Sequence, residues 1–223
     1  MEYKYAYLIG ILVTICPLWI LLFWLRKELR PELLLISVYG GIAGPISQIW
    51  YIRDYWRPET ITGWPISFED VLFGFFIAGI ASVAYEILFK KHFDEKRRKQ
   101  APHKRALAFA VIITIMIARF LSVNSIYDSF VLFLMIALTI LFFRRDLFVD
   151  SVVSGCLMAL CFLISYVIFL NLFPDAITKW WALRNISGLF VWKIPVEELL
   201  WAFGLGLALG PLYEFTTGKI FKR

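Results

Sequence analysis

The stretch of sequence that decides the fold occurs twice. Residues 67–86 read SFEDVLFGFFIAGIASVAYE, and residues 195–214 read PVEELLWAFGLGLALGPLYE. Each copy opens on an acidic pair, continues through almost wholly apolar sequence and ends in Tyr-Glu, at a constant offset of 128 residues. Because carboxylates are costly inside apolar membrane segments, they indicate a functional site. The duplication predicts that this site lies where two related units meet.

The composition is that of a membrane protein. The 223 residues are 61% hydrophobic and 18% charged, whereas soluble domains carry about 25% charged residues. Apolar runs of about 20 residues can cross a bilayer as helices. We predict seven spans, over residues 5–25, 33–52, 69–89, 106–123, 126–143, 147–170 and 195–215. We therefore expect a single membrane domain over residues 1–223.

The basic residues indicate the orientation of this domain. With seven spans, sixteen of the Lys and Arg residues fall on one side of the membrane and six on the other. Since positive loops mark the cytoplasmic side, we predict a protein of the cell membrane with its N-terminus outside and its C-terminus cytoplasmic. Retention at the cytoplasmic face explains the basic loop over residues 90–105, so no nucleic-acid partner is expected.

The similarity between the two copies extends upstream of the acidic pairs. Residues 26–29 resemble residues 144–147, and Glu32 matches Asp150 at the same offset of 118. We predict an all-α, polytopic membrane helical bundle in which two parallel three-helix repeats are joined by a linking helix. The predicted bounds are 5–90 for repeat one, 106–123 for the linking helix and 126–217 for repeat two.

The two ends of each duplicated helix are predicted to lie near opposite membrane interfaces. Seventeen residues rise about 25 Å in an α-helix. Glu69 and Glu197 are therefore expected near the outer interface, and Glu86 and Glu214 near the inner one. Small residues at four-residue spacing let helices approach closely, so we expect helices three and seven to pack together. The matched small residues are Ala78, Ser82, Gly206 and Gly210.

The acidic pairs also have a purely structural explanation. Pro195 suits the first position of a helix, and negative charge in a first turn complements the helix dipole. Ser67 followed by Asp70 has the spacing of a capping box. Arg119, near the outer end of the linking helix, is expected either to pair with an outer carboxylate or to extend to the interface.

The motif at residues 195–198, Pro-Val-Glu-Glu, resembles the Pro-x-Glu-Glu motif of the heterodimeric and fused, non-flavin lycopene cyclase family. The first copy, at residues 67–70, departs from it with Ser in place of Pro and Asp in place of the second Glu. That family has three-helix units, and the resemblance covers residues 5–217. It implies an isomerase of carotenoid biosynthesis that cyclises the ends of a linear carotenoid or related isoprenoid without redox change.

The resemblance implies acid–base chemistry at the acidic pairs. A carboxylic acid would protonate the terminal double bond, and a carboxylate would remove a proton after ring closure. Two adjacent carboxyl groups in a low-dielectric site do not both ionise cheaply, so one stays protonated. The predicted catalytic residues are Glu197, Glu198, Glu69 and Asp70, with Glu197 as the proposed acid. Aromatic faces can stabilise a cation, and the predicted substrate-binding residues are Phe73, Phe75, Trp201 and Phe203.

The expected partners are a lipid-soluble isoprenoid and membrane lipids, and a homo-oligomer is left open. No cofactor is expected because the chain lacks a glycine-rich dinucleotide fingerprint. No metal is expected because its three cysteines lack paired spacing with histidines. Two other classes of function remain open. One is a transporter or channel whose acids bind ions or protons, and the other is a non-catalytic membrane protein that keeps the fold.

Overall fold

The long apolar runs form α-helices, because helices satisfy their backbone polar groups internally where no water is available. A computed structural model describes residues 3–90, 93–98, 104–121 and 123–221. The shorter helices are α1 (Ala6–Gly10), α2 (Cys16–Leu25), α8 (Ala176–Trp180), α9 (Val196–Leu209) and α10 (Leu212–Thr217). The longer ones are α3 (Arg30–Asp54), α4 (Phe68–Leu88), α5 (Lys104–Leu121), α6 (Ser125–Phe143) and α7 (Phe148–Leu172). A π-helical turn over Ile11–Ile15 joins α1 to α2.

Six helical segments within the described residues are long and apolar enough to cross a membrane. They are Tyr3–Leu25, Lys27–Asp54, Phe68–Leu88, Ser125–Phe143, Arg145–Leu172 and Val196–Thr217. These segments confirm the predicted all-α membrane bundle. Each lies within a few residues of a predicted span. The linking helix α5 contains a shorter apolar stretch, Arg105–Ile117, so the count of seven spans stays a prediction.

Short strands, which the sequence analysis did not predict, lie outside the helices. Strand β1 (Phe93–Arg98) pairs antiparallel with β4 (Lys219–Phe221), and β2 (Phe190–Val191) pairs with β3 (Ile194–Pro195). The β1–β4 pair joins the basic loop to the segment after α10. We call the end of the bundle that holds this pair the inner end. The opposite end, with residues 55–67 and 173–195, is the outer end.

Helix α5 connects the two ends of the bundle. Its N-terminal side follows β1 at the inner end. At the outer end, just beyond its C-terminus, the Ser125 hydroxyl donates to Asp54 Oδ1 at 2.6 Å, and the Asn124 side chain donates to the Asp54 carbonyl oxygen at 3.3 Å. Eighteen residues rise about 27 Å in a helix, close to the thickness of a hydrocarbon core. Helix α5 therefore runs from one end of the bundle to the other, while its apolar stretch, Arg105–Ile117, is shorter than the six spans.

Close packing occurs chiefly within each half of the chain, between α3 and α4 and between α7 and α9. Glycines make these approaches possible. A Cβ atom on Gly44 would overlap the Asp70 carbonyl oxygen, and one on Gly206 would overlap the Ser154 carbonyl oxygen. The expectation that Gly206 and Gly210 join helices three and seven was therefore wrong, since both pack against Ser154 of α7. Helix α4 still contacts both α7 and α9 across the interface between the halves.

Equivalent contacts in the two halves support the predicted repeat. At the inner end, Arg26 Nη1 donates to the Glu86 carbonyl oxygen at 3.3 Å. In the second half, Arg144 Nη1 donates to the Glu214 carbonyl oxygen at 3.1 Å. Both arginines and both glutamates are pairs that the sequence comparison aligns. The two halves thus use the same main-chain contact to fix the ends of their duplicated helices.

Cysteine labelling tests the orientation that the basic residues predict. In a chain whose native cysteines have been replaced, a membrane-impermeant thiol reagent should label Lys179→Cys on intact cells and should not label Lys90→Cys. Both native residues are exposed, Lys179 at the outer end and Lys90 at the inner end. Opening the cells should make Lys90→Cys reactive. The reverse pattern on intact cells would show that the charge-based orientation is inverted.

Candidate active site

The first acid of each pair binds the loop that precedes its own helix. Glu69 Oε1 accepts a hydrogen bond from the Ile61 main-chain N–H at 2.8 Å. Glu197 Oε1 accepts from the Ser187 main-chain N–H at 2.7 Å and from the Tyr127 hydroxyl at 2.8 Å. Both carboxylates are buried. Glu69 and Glu197 therefore hold equivalent loops against the first turns of α4 and α9.

The second acid of each pair faces a cavity between the two halves. Asp70 and Glu198 are 3% and 5% exposed, and both line a cavity of about 70 Å³ at the outer end. Other residues on its wall include Tyr7, Gln48, Tyr51, Phe73, Phe162 and Trp201. The structure thus brings Asp70 and Glu198 to one cavity, whereas neither Glu69 nor Glu197 lies on its wall. The predicted set of four acids is divided into two pairs with different surroundings.

Three hydrogen-bond donors surround Glu198. Its Oε1 accepts from the Tyr55 hydroxyl at 2.5 Å and from Trp181 Nε1 at 2.7 Å, and its Oε2 accepts from the Tyr166 hydroxyl at 2.5 Å. Hydrogen bonds to an ionised acceptor are shorter and stronger than neutral ones. Burial opposes the negative charge of Glu198, and the donors aimed at both of its oxygens compensate for that burial. These donors come from the segment after α3, from α7 and from the segment after α8.

Tyr55 stays a donor in this arrangement. Its side chain is 1% exposed. Burial raises the pKa of the Tyr55 hydroxyl well above its usual value, and the neighbouring Glu198 carboxylate raises it further. The Tyr55 hydroxyl keeps its proton, because loss of that proton would place two anions in contact. As a neutral donor it stabilises the negative charge on Glu198.

Asp70 also accepts three hydrogen bonds, and each is longer than those of Glu198. Its Oδ2 accepts from the Ser67 main-chain N–H at 2.8 Å and from the Ser67 hydroxyl at 3.3 Å, and its Oδ1 accepts from the Tyr7 hydroxyl at 3.2 Å. The predicted capping box is present, since Ser67 and Asp70 bond reciprocally to each other's main chain. Asp70 therefore stabilises the start of α4 with one oxygen and turns the other toward Tyr7 on the cavity wall.

Two of the four predicted aromatic residues lie on the cavity. The ring centroids of Phe73 and Trp201 are 6.2 Å apart, and Phe162 lies 5.5 Å from Trp201. Trp201 Nε1 donates to the Tyr51 hydroxyl at 2.7 Å, which fixes the indole on the wall. Three aromatic faces from α4, α7 and α9 thus enclose one side of the cavity.

The other two aromatic residues serve packing within each half. The Phe75 ring lies 5.3 Å from that of Trp19 on α2. Phe203 packs on α7, where a Cβ atom on Gly155 would come within 3.0 Å of its ring. Neither side chain is on the cavity wall. The side chain of Arg119, predicted as a charge partner, lies outside the part of the chain that the structure describes, so that prediction stays untested.

Two further spaces adjoin the cavity. A second cavity of about 60 Å³ shares Tyr7, Phe73, Phe162 and Tyr166 with it. A larger, mainly apolar groove of about 360 Å³ lies between α3, α5 and α6 and shares Ser47 and Tyr51 with the cavity.

The tyrosines and the tryptophan that bind the second acids are not evident from the sequence. Tyr7, Tyr55 and Tyr166 lie near the ends of predicted spans, where aromatic residues ordinarily form an interfacial belt. Trp181 lies in the predicted loop between the last two spans. The hydroxyl and indole N–H groups of these residues were the available signal, because such groups usually find hydrogen-bond partners when they are buried. Nothing in the sequence pairs Tyr55 with Glu198, however, because 143 positions separate them.

Removal of one donor tests the surroundings of Glu198 without any assay of activity. A hydrogen bond to a charged group contributes about 1.5–3 kcal/mol. We therefore expect Tyr166→Phe to lower the thermal unfolding midpoint of the detergent-solubilised protein. Tyr39→Phe, at a position that is 62% exposed on α3, is the matched control and should leave the midpoint unchanged. Equal midpoints for Tyr166→Phe and wild type would show that Glu198 does not depend on this donor.

The second half of the chain matches the model of a known family. Residues 124–216 match the family model described as lycopene cyclase. The matched segment extends from the N-cap of α6 almost to the end of α10, so it contains Glu197 and Glu198 and corresponds to the predicted second repeat. No curated protein and no solved structure matches the chain. Residues 124–216 are therefore similar to the lycopene cyclase family, in a chain whose described helices include six that are long and apolar enough to cross a membrane.

Proposed function

We propose that this protein is a membrane isomerase that cyclises one end of a linear carotenoid or related isoprenoid by acid–base catalysis. The observation that carries the proposal is the cavity between the two halves, where buried Asp70 and Glu198 face an aromatic wall. The lycopene cyclase family domain supports this class of reaction. The proposal includes the predicted orientation, in which the cavity would lie at the outer membrane interface, and the predicted parallel repeat, in which both acidic pairs would lie at the same depth.

Glu198 is assigned as the carboxylate that removes a proton. Three donors on its two oxygens stabilise its negative charge. A fixed anion beside the cavity also stabilises positive charge that develops on a substrate there. Since Glu198 donates no hydrogen bond in this arrangement, it suits the second half of an acid–base reaction.

Asp70 is assigned as the acid in place of Glu197. Its Oδ1 accepts one hydrogen bond, from the Tyr7 hydroxyl, at the long distance of 3.2 Å. A hydroxyl group is both a donor and an acceptor, so a protonated Asp70 can donate to Tyr7 without any movement of the chain. Glu197 is held by the Ser187 loop and does not line the cavity. Asp70 is therefore the carboxyl group that both lines the cavity and can carry a proton in its present hydrogen-bond arrangement.

The reaction follows from these two roles. The Asp70 proton adds to the terminal carbon–carbon double bond, which leaves a tertiary carbocation and an ionised Asp70. A second double bond of the same chain then attacks this cation to close a ring, and Glu198 removes a proton to form the ring double bond. No atom is gained or lost, and nothing is oxidised or reduced. Return of the proton from Glu198 to Asp70 completes the cycle. The Tyr166 hydroxyl bonds to Glu198, the Tyr7 hydroxyl bonds to Asp70, and both tyrosines line the two cavities.

The aromatic wall stabilises the cationic intermediate. A cation within about 6 Å of an aromatic face is attracted to its quadrupole, by about 2 kcal/mol or more in a desolvated site. Phe73, Phe162 and Trp201 present such faces beside both acids. Water would capture the cation before the ring closes, so the apolar lining also protects the reaction.

Substitution of the two cavity acids tests the assigned chemistry. Removal of a general acid or base typically slows a reaction about 10²–10⁴-fold. Asp70→Asn and Glu198→Gln should therefore leave a linear carotenoid uncyclised in cells that produce lycopene, measured by chromatography of the extracted pigments. Glu59→Gln, an exposed carboxylate of the outer loop, is the control and should cyclise like wild type.

Two results of this experiment would contradict the proposal. Equal cyclisation by Asp70→Asn and wild type would show that Asp70 is not the acid. A folded wild-type chain that leaves every linear carotenoid unchanged would favour a non-catalytic membrane protein or a transporter over a cyclase. Verified insertion and expression of each variant separate these results from a failure to fold.

Obstruction of the groove tests the path of the substrate. Ser47 lies where the groove between α3, α5 and α6 meets the cavity. An indole at this position should block an isoprenoid end, so Ser47→Trp should lower the cyclised fraction in the same cells. Ile49→Trp is the matched control, because Ile49 lies two residues away and is 44% exposed. Equal pigment profiles for the two variants would exclude this route.

A further inference from the structure

A second cluster of acidic side chains lies at the inner end of the bundle. Glu32 on α3, Glu86 on α4 and Glu214 on α10 each place a carboxylate oxygen within 4.8 Å of the other two. Asp150 on α7 adds its charge to the same cluster. Two of the four residues come from each half of the chain. The catalytic assignments do not involve any of them.

These carboxylates are buried and have no hydrogen-bond partners among the described residues. Glu32, Glu86 and Glu214 are 1%, 0% and 0% exposed, and all six of their carboxylate oxygens lack a partner. Asp150 is 2% exposed, and its Oδ2 also lacks a partner, while its Oδ1 accepts from the Ser154 hydroxyl at 3.2 Å. Such oxygens are costly to bury unless a cation or a proton satisfies them.

The neighbouring basic side chains make hydrogen bonds and ion pairs with groups outside the carboxylate cluster. Arg26 and Arg144 donate to the main-chain oxygens of Glu86 and Glu214 and form ion pairs with the acids two residues further along the chain. Lys219 Nζ donates to the Tyr213 hydroxyl at 3.2 Å and contributes positive charge near Glu32. These three groups border the cluster. None of the carboxylate oxygens of Glu32, Glu86 and Glu214 accepts from them.

We propose that Glu32, Glu86 and Glu214, with Asp150, bind one divalent cation that joins the two halves of the chain at the inner end. A set made only of carboxylate oxygens suits a hard cation, which means Mg²⁺, Mn²⁺ or Ca²⁺. Ligands from α3, α4 and α10 would tie helices of both halves to one ion. The site lies at the opposite end from the cavity, so the proposal is independent of the cyclase assignment.

The duplication explains how such a site arises. Glu32 and Asp150 are equivalent at an offset of 118 residues, and Glu86 and Glu214 are equivalent at an offset of 128. Packing the two halves against each other brings both equivalent pairs to the same place. The sequence did not predict a metal site because these four acids are far apart along the chain, with no ligand spacing to join them.

Binding of Mn²⁺ to the wild-type protein in detergent is the first test. We expect about one Mn²⁺ per chain by electron paramagnetic resonance, displaced by Mg²⁺ or Ca²⁺. Addition of Mg²⁺ should raise the thermal unfolding midpoint, and a chelator should lower it, because a ligand that binds only the folded state stabilises it. Folded wild-type protein that takes up no Mn²⁺ would overturn the proposal and leave protons to neutralise the cluster.

Substitution of the ligands is the second test. Glu86→Gln keeps the shape of the side chain and removes its charge, so the affinity for Mn²⁺ should fall roughly tenfold or more. Glu69→Gln is the matched control, since it removes a buried glutamate of the same helix at the outer end and should leave Mn²⁺ affinity unchanged. If Glu86→Gln does not fold, Asp150→Asn provides a second variant, which also removes one charge of the cluster. Unaltered Mn²⁺ affinity in folded Glu86→Gln or Asp150→Asn protein would contradict the assigned ligands.

Discussion

The burial of carboxylates inside an apolar helical bundle is the constraint on which the rest of the structure depends. A buried charge is tolerated only when donors or cations compensate for the loss of water. Around Glu198 the compensation comes from Tyr55, Tyr166 and Trp181, which belong to three separate parts of the chain. The packing of the helices and the charge of the candidate site are therefore fixed together, since displacement of any one part removes a donor.

Helix geometry explains why each acidic pair is divided between two tasks. Successive residues of an α-helix point about 100° apart, because 3.6 residues complete a turn. Adjacent acids therefore point in different directions, and in each pair the second acid is the one that lines the cavity. Glu69 and Glu197 bind the preceding loops, while Asp70 and Glu198 face the space between the halves. The first acids fix the loops at the starts of the helices, and the second acids are available to act on a molecule in the cavity.

The buried acids at the two ends of the bundle have different hydrogen-bond surroundings. At the outer end, tyrosine and tryptophan side chains donate to Glu198, and main-chain N–H groups donate to the other three acids. The oxygens of Glu32, Glu86 and Glu214 at the inner end have no such donors among the described residues. A donor-rich surrounding stabilises a carboxylate without an added ion, whereas a donor-poor one requires a cation or protons. The same duplicated helix thus supports a proposed catalytic cavity at one end and a proposed ion site at the other.

The sequence by itself determined the membrane class, the positions of the helices, the capping box of Ser67 and Asp70, and the placement of acids in the first turns of α4 and α9. These features are local, because hydrophobic run length and capping depend on neighbouring residues. Only the tertiary structure decided that Asp70 and Glu198 share a cavity and that Phe73 faces it while Phe75 does not. Those outcomes depend on how each helix is rotated and how closely helices approach, as Gly44 permits at Asp70. Such contacts join residues far apart along the chain, so no local pattern specifies them.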